Sequence, residues 1–130
     1  MPKIKQVILF TDSDGHARFR EDYLSLDAGS PQVSLSDILP ASGLQWRESP
    51  VGFRSDVHVS GDPQWVFVLS GVMEIGLADK SSRRFTAGEH FYSGDILPEG
   101  AVFDPDVHGH WSRQVGDVPL VTLFIKTEKH

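Results

Sequence analysis

The chain has 130 residues, 39% of them hydrophobic and 23% charged, with a net charge of −6 and an isoelectric point near 5.4. That is enough for one domain over residues 1–130 with a single core, and too little for two ordinary ones. The acidic balance disfavours nucleic acid, which needs clustered Lys and Arg where Lys3/Lys5 and Arg83/Arg84 are the nearest clusters; the lack of cysteine removes disulfides, thiolate nucleophiles and thiolate metal sites together.

Taken in chain order, Val7 to Phe10 is the longest apolar run near the start. It is far shorter than a signal-peptide core or a membrane span, so a cytoplasmic protein without a membrane anchor is expected. Ile4 to Phe10 and Ala17 to Leu26 flank the turn-rich Thr11-Asp12-Ser13-Asp14-Gly15 and read as two strands with a tight connection. Ser34 to Pro40 reads as a loop or a short turn of helix. Gly43 to Glu48 alternates Leu44 and Trp46 with polar neighbours, and Val57 to Ser60 follows as a further strand. Trp65 to Leu77, turning at Ser70-Gly71, is the strongest strand signal and predicts a hairpin. Arg83 to Phe85, His90 to Tyr92 and Leu120 to Lys126 complete the strands, and residues 94–109 read as a long loop. No apolar pattern of helical period lasts three turns, while Gly (12) and Pro (8) recur throughout, so the fold class is all-β.

Residues 52–71 resemble the first cupin motif, which runs Gly, five residues, His-x-His, three or four residues, Glu, six residues, Gly. Gly52, His58, Gln64 and Gly71 keep that spacing, with Ser60 in place of the second His and Gln64 in place of the Glu. Further along, Asp14-Gly15-His16-Ala17-Arg18-Phe19, Asp62-Pro63, Leu69-Ser70-Gly71, Phe85-Thr86-Ala87-Gly88-Glu89 and Gly109-His110-Trp111-Ser112-Arg113 are similar to a group of uncharacterised single-domain bacterial cupins over nearly the whole chain. The resemblance implies a double-stranded β-helix, the jelly-roll cupin barrel, with its ligand inside and homodimerisation by family habit. Two alignments of the second motif stay open, one placing His110 opposite His58 and the other placing Phe103 there.

In that frame His58, Gln64 and His110 are the metal-ligand set, for Fe, Mn, Ni or Zn. Two imidazoles and an amide bring no negative charge, where the usual open iron site adds a carboxylate to two histidines. Asp56, Asp62, Glu89, Asp95 or an anionic substrate are the groups available to supply it. Ser60 shares a strand face with His58. Trp46, Phe67 and Tyr92 are candidate pocket walls, and Arg113 a candidate holder of a carboxylate or phosphate. His108 falls on the face of His110 if that segment is extended, whereas His16 and His90 read as surface or core-edge residues. There is no Cys/His pair, no Gly-x-Ser-x-Gly elbow and no phosphate-cradling glycine loop, and the pairs Glu21/Asp22 and Asp104/Asp106 read as solvated. Three functions are expected to compete. One is a metal-dependent cupin enzyme of oxygenase, isomerase or lyase type acting on a small organic molecule. The others are a metal-free small-molecule binding module and a metal-free enzyme using histidine as acid or base.

Overall fold

Short alternating runs of apolar and polar residues, broken by glycines with positive φ, leave no stretch suited to a helix. The computed structural model describes residues 2–127, and these are all-β, with no helix long and apolar enough to cross a membrane among them. The strands are β1 (Lys3–Thr11), β2 (Ala17–Ser25), β3 (Ala28–Ser30), β4 (Val33–Leu35), β5 (Gly43–Ser49), β6 (Gln64–Ser70), β7 (Val72–Leu77), β8 (Ser82–Thr86), β9 (His90–Ser93), β10 (His110–Val115) and β11 (Leu120–Lys126).

Hydrogen bonding sorts them into a six-stranded sheet of order β2-β1-β9-β6-β11-β5, a three-stranded sheet of order β10-β7-β8, and the two-stranded ribbon β3-β4. The strand pairings among the described residues are antiparallel except that of β1 with β9. Residues 53–58 run along the free edge of β10, joined to it by isolated bridges from Arg54 to Arg113 and from His58 to His110. These are separate sheets and no barrel closes among the described residues.

The core lies between the two main sheets. Val7, Leu9, Val66, Val68 and Phe91 come from the larger sheet and Met73, Ile75, Leu77 and Phe85 from the smaller, each at most 6% exposed. Alternation then sets the opposite faces, since side chains two apart on a strand point the same way. Trp65 and Phe67 lie on the outer face of β6, between the inward Val66 and Val68.

Four expectations are corrected by the strand pairing. The run Trp65 to Leu77 is not a hairpin, because β6 belongs to the larger sheet and β7 to the smaller. Gly71, at φ 82°, turns the chain alone from one sheet to the other where a tight hairpin needs a two-residue loop. A Cβ there would fall 2.7 Å from the Pro119 carbonyl oxygen, which explains the glycine. Val57 to Ser60 supplies a single bridge at His58 and no ladder. Ser34 to Pro40 starts inside the ribbon, whose β4 ends at Leu35, and continues as a loop. Finally, β10 is a full strand that the apolar pattern did not indicate.

Candidate functional site

Residues 52–58 keep their place along the edge of the smaller sheet because β10 is built to hold them. Gln114 accepts from the Gly52 N–H through its Oε1 (2.8 Å), and the Gln114 N–H donates to the Phe53 carbonyl (2.9 Å). The Ser55 N–H donates to the Ser112 carbonyl, and the Ser112 N–H to Ser55 Oγ (2.9 Å). At the far end His58 and His110 exchange both backbone bonds, at 2.9 and 2.8 Å. A directly opposed antiparallel pair puts both side chains on one face. The two rings accordingly stand with centroids 4.6 Å apart. Gly109 permits this approach: at φ 83°, a methyl on it would fall 2.5 Å from the His58 carbonyl oxygen.

Each ring is fixed through Nδ1. His58 Nδ1 lies 2.8 Å from the Asp56 carbonyl oxygen, which can only accept, so the proton sits on Nδ1. His110 Nδ1 lies 2.9 Å from Asp95 Oδ2. The other carboxylate oxygen of Asp95 accepts from Ser60 Oγ at 2.5 Å, and Ser60 is in turn 2.6 Å from Ser93 Oγ. Asp95 is wholly buried. Burial is the largest single influence on its carboxyl and pushes the pKa up. The bond and charge of His110 and the bonds from Ser60 together outweigh it, leaving Asp95 below the ordinary aspartate value of 3.8. Asp95 is therefore an ionised carboxylate, with His110 Nδ1–H as its donor. In the neutral rings both Nε2 atoms are left as lone pairs, and neither makes a hydrogen bond among the described residues.

Both rings line a cavity of about 80 Å³ between the sheets, with Ser60, Gln64 and Ser93 on its polar side and Val66, Ile75 and Phe91 among its apolar walls. His110 is 5% exposed, whereas His58 is exposed and stands at the mouth. Gln64 Oε1 is buried in this cavity with no hydrogen-bond partner. A buried acceptor without a donor is costly, of order 1–3 kcal/mol. Three acceptor atoms, two ring nitrogens and an amide oxygen, thus belong to residues lining one small space, and none of the three is hydrogen-bonded among the described residues. A divalent ion fits this set through its donor chemistry. Among the described residues no three His, Asp or Glu side chains group to hold a metal, so an ion at this place would need the Gln64 amide as its third protein ligand.

His58, Ser60, Gln64 and His110, all singled out from the sequence, are brought together. Phe103 is not among them: it sits in the 94–109 loop with its ring 6.2 Å from that of His108, and it is His110 that faces His58. The buried His108 accepts the Asp104 N–H through Nδ1 (3.0 Å) and lines no part of the cavity. Four other candidates stand elsewhere. Trp46 is 65% exposed on the outer face of β5. Phe67 stacks on His90, with centroids 5.0 Å apart, over an outer apolar groove of about 370 Å³. Burial lowers the pKa of that His90. Tyr92 packs its edge on Trp65 at 4.8 Å, also outside. Arg113 projects from the outer face of β10, where Nε donates to Glu74 Oε1. A larger cleft of about 580 Å³ lies beside Arg54, Lys80 and Trp111; it shares His110 with the cavity but contains neither His58 nor Gln64. Sequence reasoning did not single out Arg47, which lines the cavity with its guanidinium over the rings of Phe53 and Phe124, nor did it distinguish Asp95 from three other carboxylates.

No protein-family model matches the sequence, and no curated protein matches it. Among solved structures the chain is similar to the cupin domain of Schizosaccharomyces pombe Cnp3, at 16% identity and a TM-score of 0.45, over 97% of this chain and 84% of that one. So distant a likeness carries no weight for the site, which stands on the strand order and hydrogen bonds of the chain itself.

Proposed function

We propose that the chain is a small single-domain cupin that binds a divalent metal ion through His58, Gln64 and His110 and acts on a small organic molecule at that ion. The fold reading draws on strand order. From β5 onward the chain crosses between two facing sheets at every step but the β7–β8 hairpin, with β5-β11-β6-β9 on one side and residues 53–58, β10, β7 and β8 on the other, an order that supports an eight-stranded jelly roll. The observation that carries the metal reading is the buried, partnerless Gln64 Oε1 beside two imidazoles whose Nδ1 atoms are both committed.

Asp95 gives the site what its ligand set lacks. A carboxylate bonded to the far nitrogen of a ligating histidine fixes the tautomer, orients the ring and makes it a better donor, and here the same carboxylate is also held by Ser60. Nitrogen and amide-oxygen donors suit Fe, Mn, Ni or Zn. A bound ion supplies Lewis acidity toward an oxygen of the molecule it meets. His58, at the mouth, leaves that side open to an incoming molecule, while the apolar walls keep bulk water from the rest.

Metal analysis of protein purified without a histidine tag or chelator tests this. Wild type is expected to hold about one divalent ion per chain, and His58→Ala, at an exposed position, to lose it while staying folded. Asp95→Asn is expected to weaken affinity by about 10–100-fold. Absence of bound metal after reconstitution with Fe²⁺, Mn²⁺, Ni²⁺ and Zn²⁺ in turn overturns the reading. The Asp95–His110 pair favours one alternative, in which His110 Nε2 takes a proton as a metal-free general base. Turnover that survives complete metal removal and disappears in His110→Ala selects it.

A further inference from the structure

Arg47 lies on the face of β5 that it shares with its pair, Thr122 of β11, and, although exposed, lines the same cavity as His58, Gln64 and His110. Its guanidinium lies 5.0 Å from the ring centroid of Phe53 and 5.6 Å from that of Phe124. Arg18, Arg83, Arg84 and Arg113 are all in ion pairs, whereas Arg47, like Arg20 and Arg54, has only aromatic contacts among the described residues; of these three, Arg47 is the one that lines the cavity of His58, Gln64 and His110. Two aromatic contacts hold a planar cation whose N–H donors are unspent.

Charge defines what those donors face. With a divalent ion on His58, Gln64 and His110, the balance is +2 for the ion, +1 for Arg47 and −1 for Asp95, against neutral imidazoles and amide. The remaining excess calls for an anion from outside the chain. Size narrows its shape. At about 30 Å³ per water, a cavity of about 80 Å³ admits two or three atoms beyond the wall, the ion among them. Only one or two oxygens of an anion fit beside it, and a planar carboxylate, which matches the guanidinium fork, presents them with the rest of the molecule passing out beside His58.

We propose that Arg47 anchors the carboxylate of a small organic acid at this site, making short carboxylic acids the class of molecule the protein acts on. The proposal rests on the metal reading above for its charge balance, but Arg47 can be judged with or without the ion. Chemical-shift titrations of metal-loaded and metal-free protein with acetate, pyruvate, oxalate and inorganic phosphate make the test. Wild type is expected to bind at least one carboxylate more tightly than phosphate. Arg47→Met is expected to lose about tenfold or more in that affinity with its metal content unchanged, and Arg47→Lys, which keeps charge without the fork, to fall between. Equal carboxylate affinity in wild type and Arg47→Met, preference for phosphate, or no carboxylate binding in either form overturns the proposal. A loss of metal in Arg47→Met also overturns it, by making Arg47 a support for the site. Should wild type take up no metal, the metal reading fails alone, and the metal-free comparison still decides the role of Arg47.

Discussion

Strands β7 and β10 lie side by side in exact opposition of role. Leu77 pairs with His110, Ile75 with Ser112 and Met73 with Gln114, so each inward apolar side chain of one strand neighbours an inward polar side chain of the other. All six are at most 6% exposed. On β7 burial is its own reward, at roughly 25 cal/mol per Å² of apolar surface. On β10 it is tolerable only where partners replace water. Ser112 and Gln114 find theirs in Ser55, Gly52 and the carbonyls of Gly116 and Val118, and so hold residues 52–58 in place. His110 finds Asp95 for one nitrogen and leaves the other open. One strand makes the core, and the other turns polar side chains inward and satisfies them all but for His110 Nε2.

The contrast is broken most severely at Asp95. Asp95 accepts from both His110 and Ser60, and leaving two buried donors without it costs about 1–3 kcal/mol each, so Asp95→Ala is expected to lose about 2–6 kcal/mol in denaturant unfolding. Because the folded pKa of Asp95 lies below the unfolded value near 3.8, its stabilisation is present above that pH and is lost as pH falls through the folded value. The acid limb of wild-type stability is expected to be flatter in Asp95→Ala; an unchanged slope would show that the pair contributes nothing. Next comes β7, where Ile75→Ala opens a cavity and is expected to cost about 2–5 kcal/mol in the same measurement, with metal content kept. Smallest is Ser112→Ala, about 1–3 kcal/mol, since Ser55 loses a partner that water partly replaces at this half-exposed edge. If Ser112→Ala proved costlier than Ile75→Ala, the division between a core strand and a tethering strand would fall.

That same inversion decided how much was legible beforehand. β1, β2, β5, β6, β7, β8, β9 and β11 announce themselves as short apolar or alternating runs between turn residues, and all were expected near their observed bounds. β10 was not expected as a strand, because its inward set is His110, Ser112 and Gln114 while Trp111 and Val115 lie on the other face. Strand β6 misled in a second way: Trp65, Phe67 and Leu69 are as apolar as Val66 and Val68, so periodicity alone leaves open which set faces in. The same parity places Phe67 and Tyr92 outside. His58, Gln64 and His110 were legible through the spacing of a motif. The burial of Asp95 and the aromatic contacts of Arg47 depend on residues distant along the chain, which no local pattern contains.

The strip that carries His58 is fastened to β10 by two isolated bridges and side-chain bonds, where β7 has a six-residue ladder with the same strand. A ligand gripped by both imidazoles, as proposed, would therefore also act as the last stitch along the hem of the smaller sheet. Occupancy and local order there would then rise and fall together, so part of the free energy of capture would go into closing the fabric that makes capture possible.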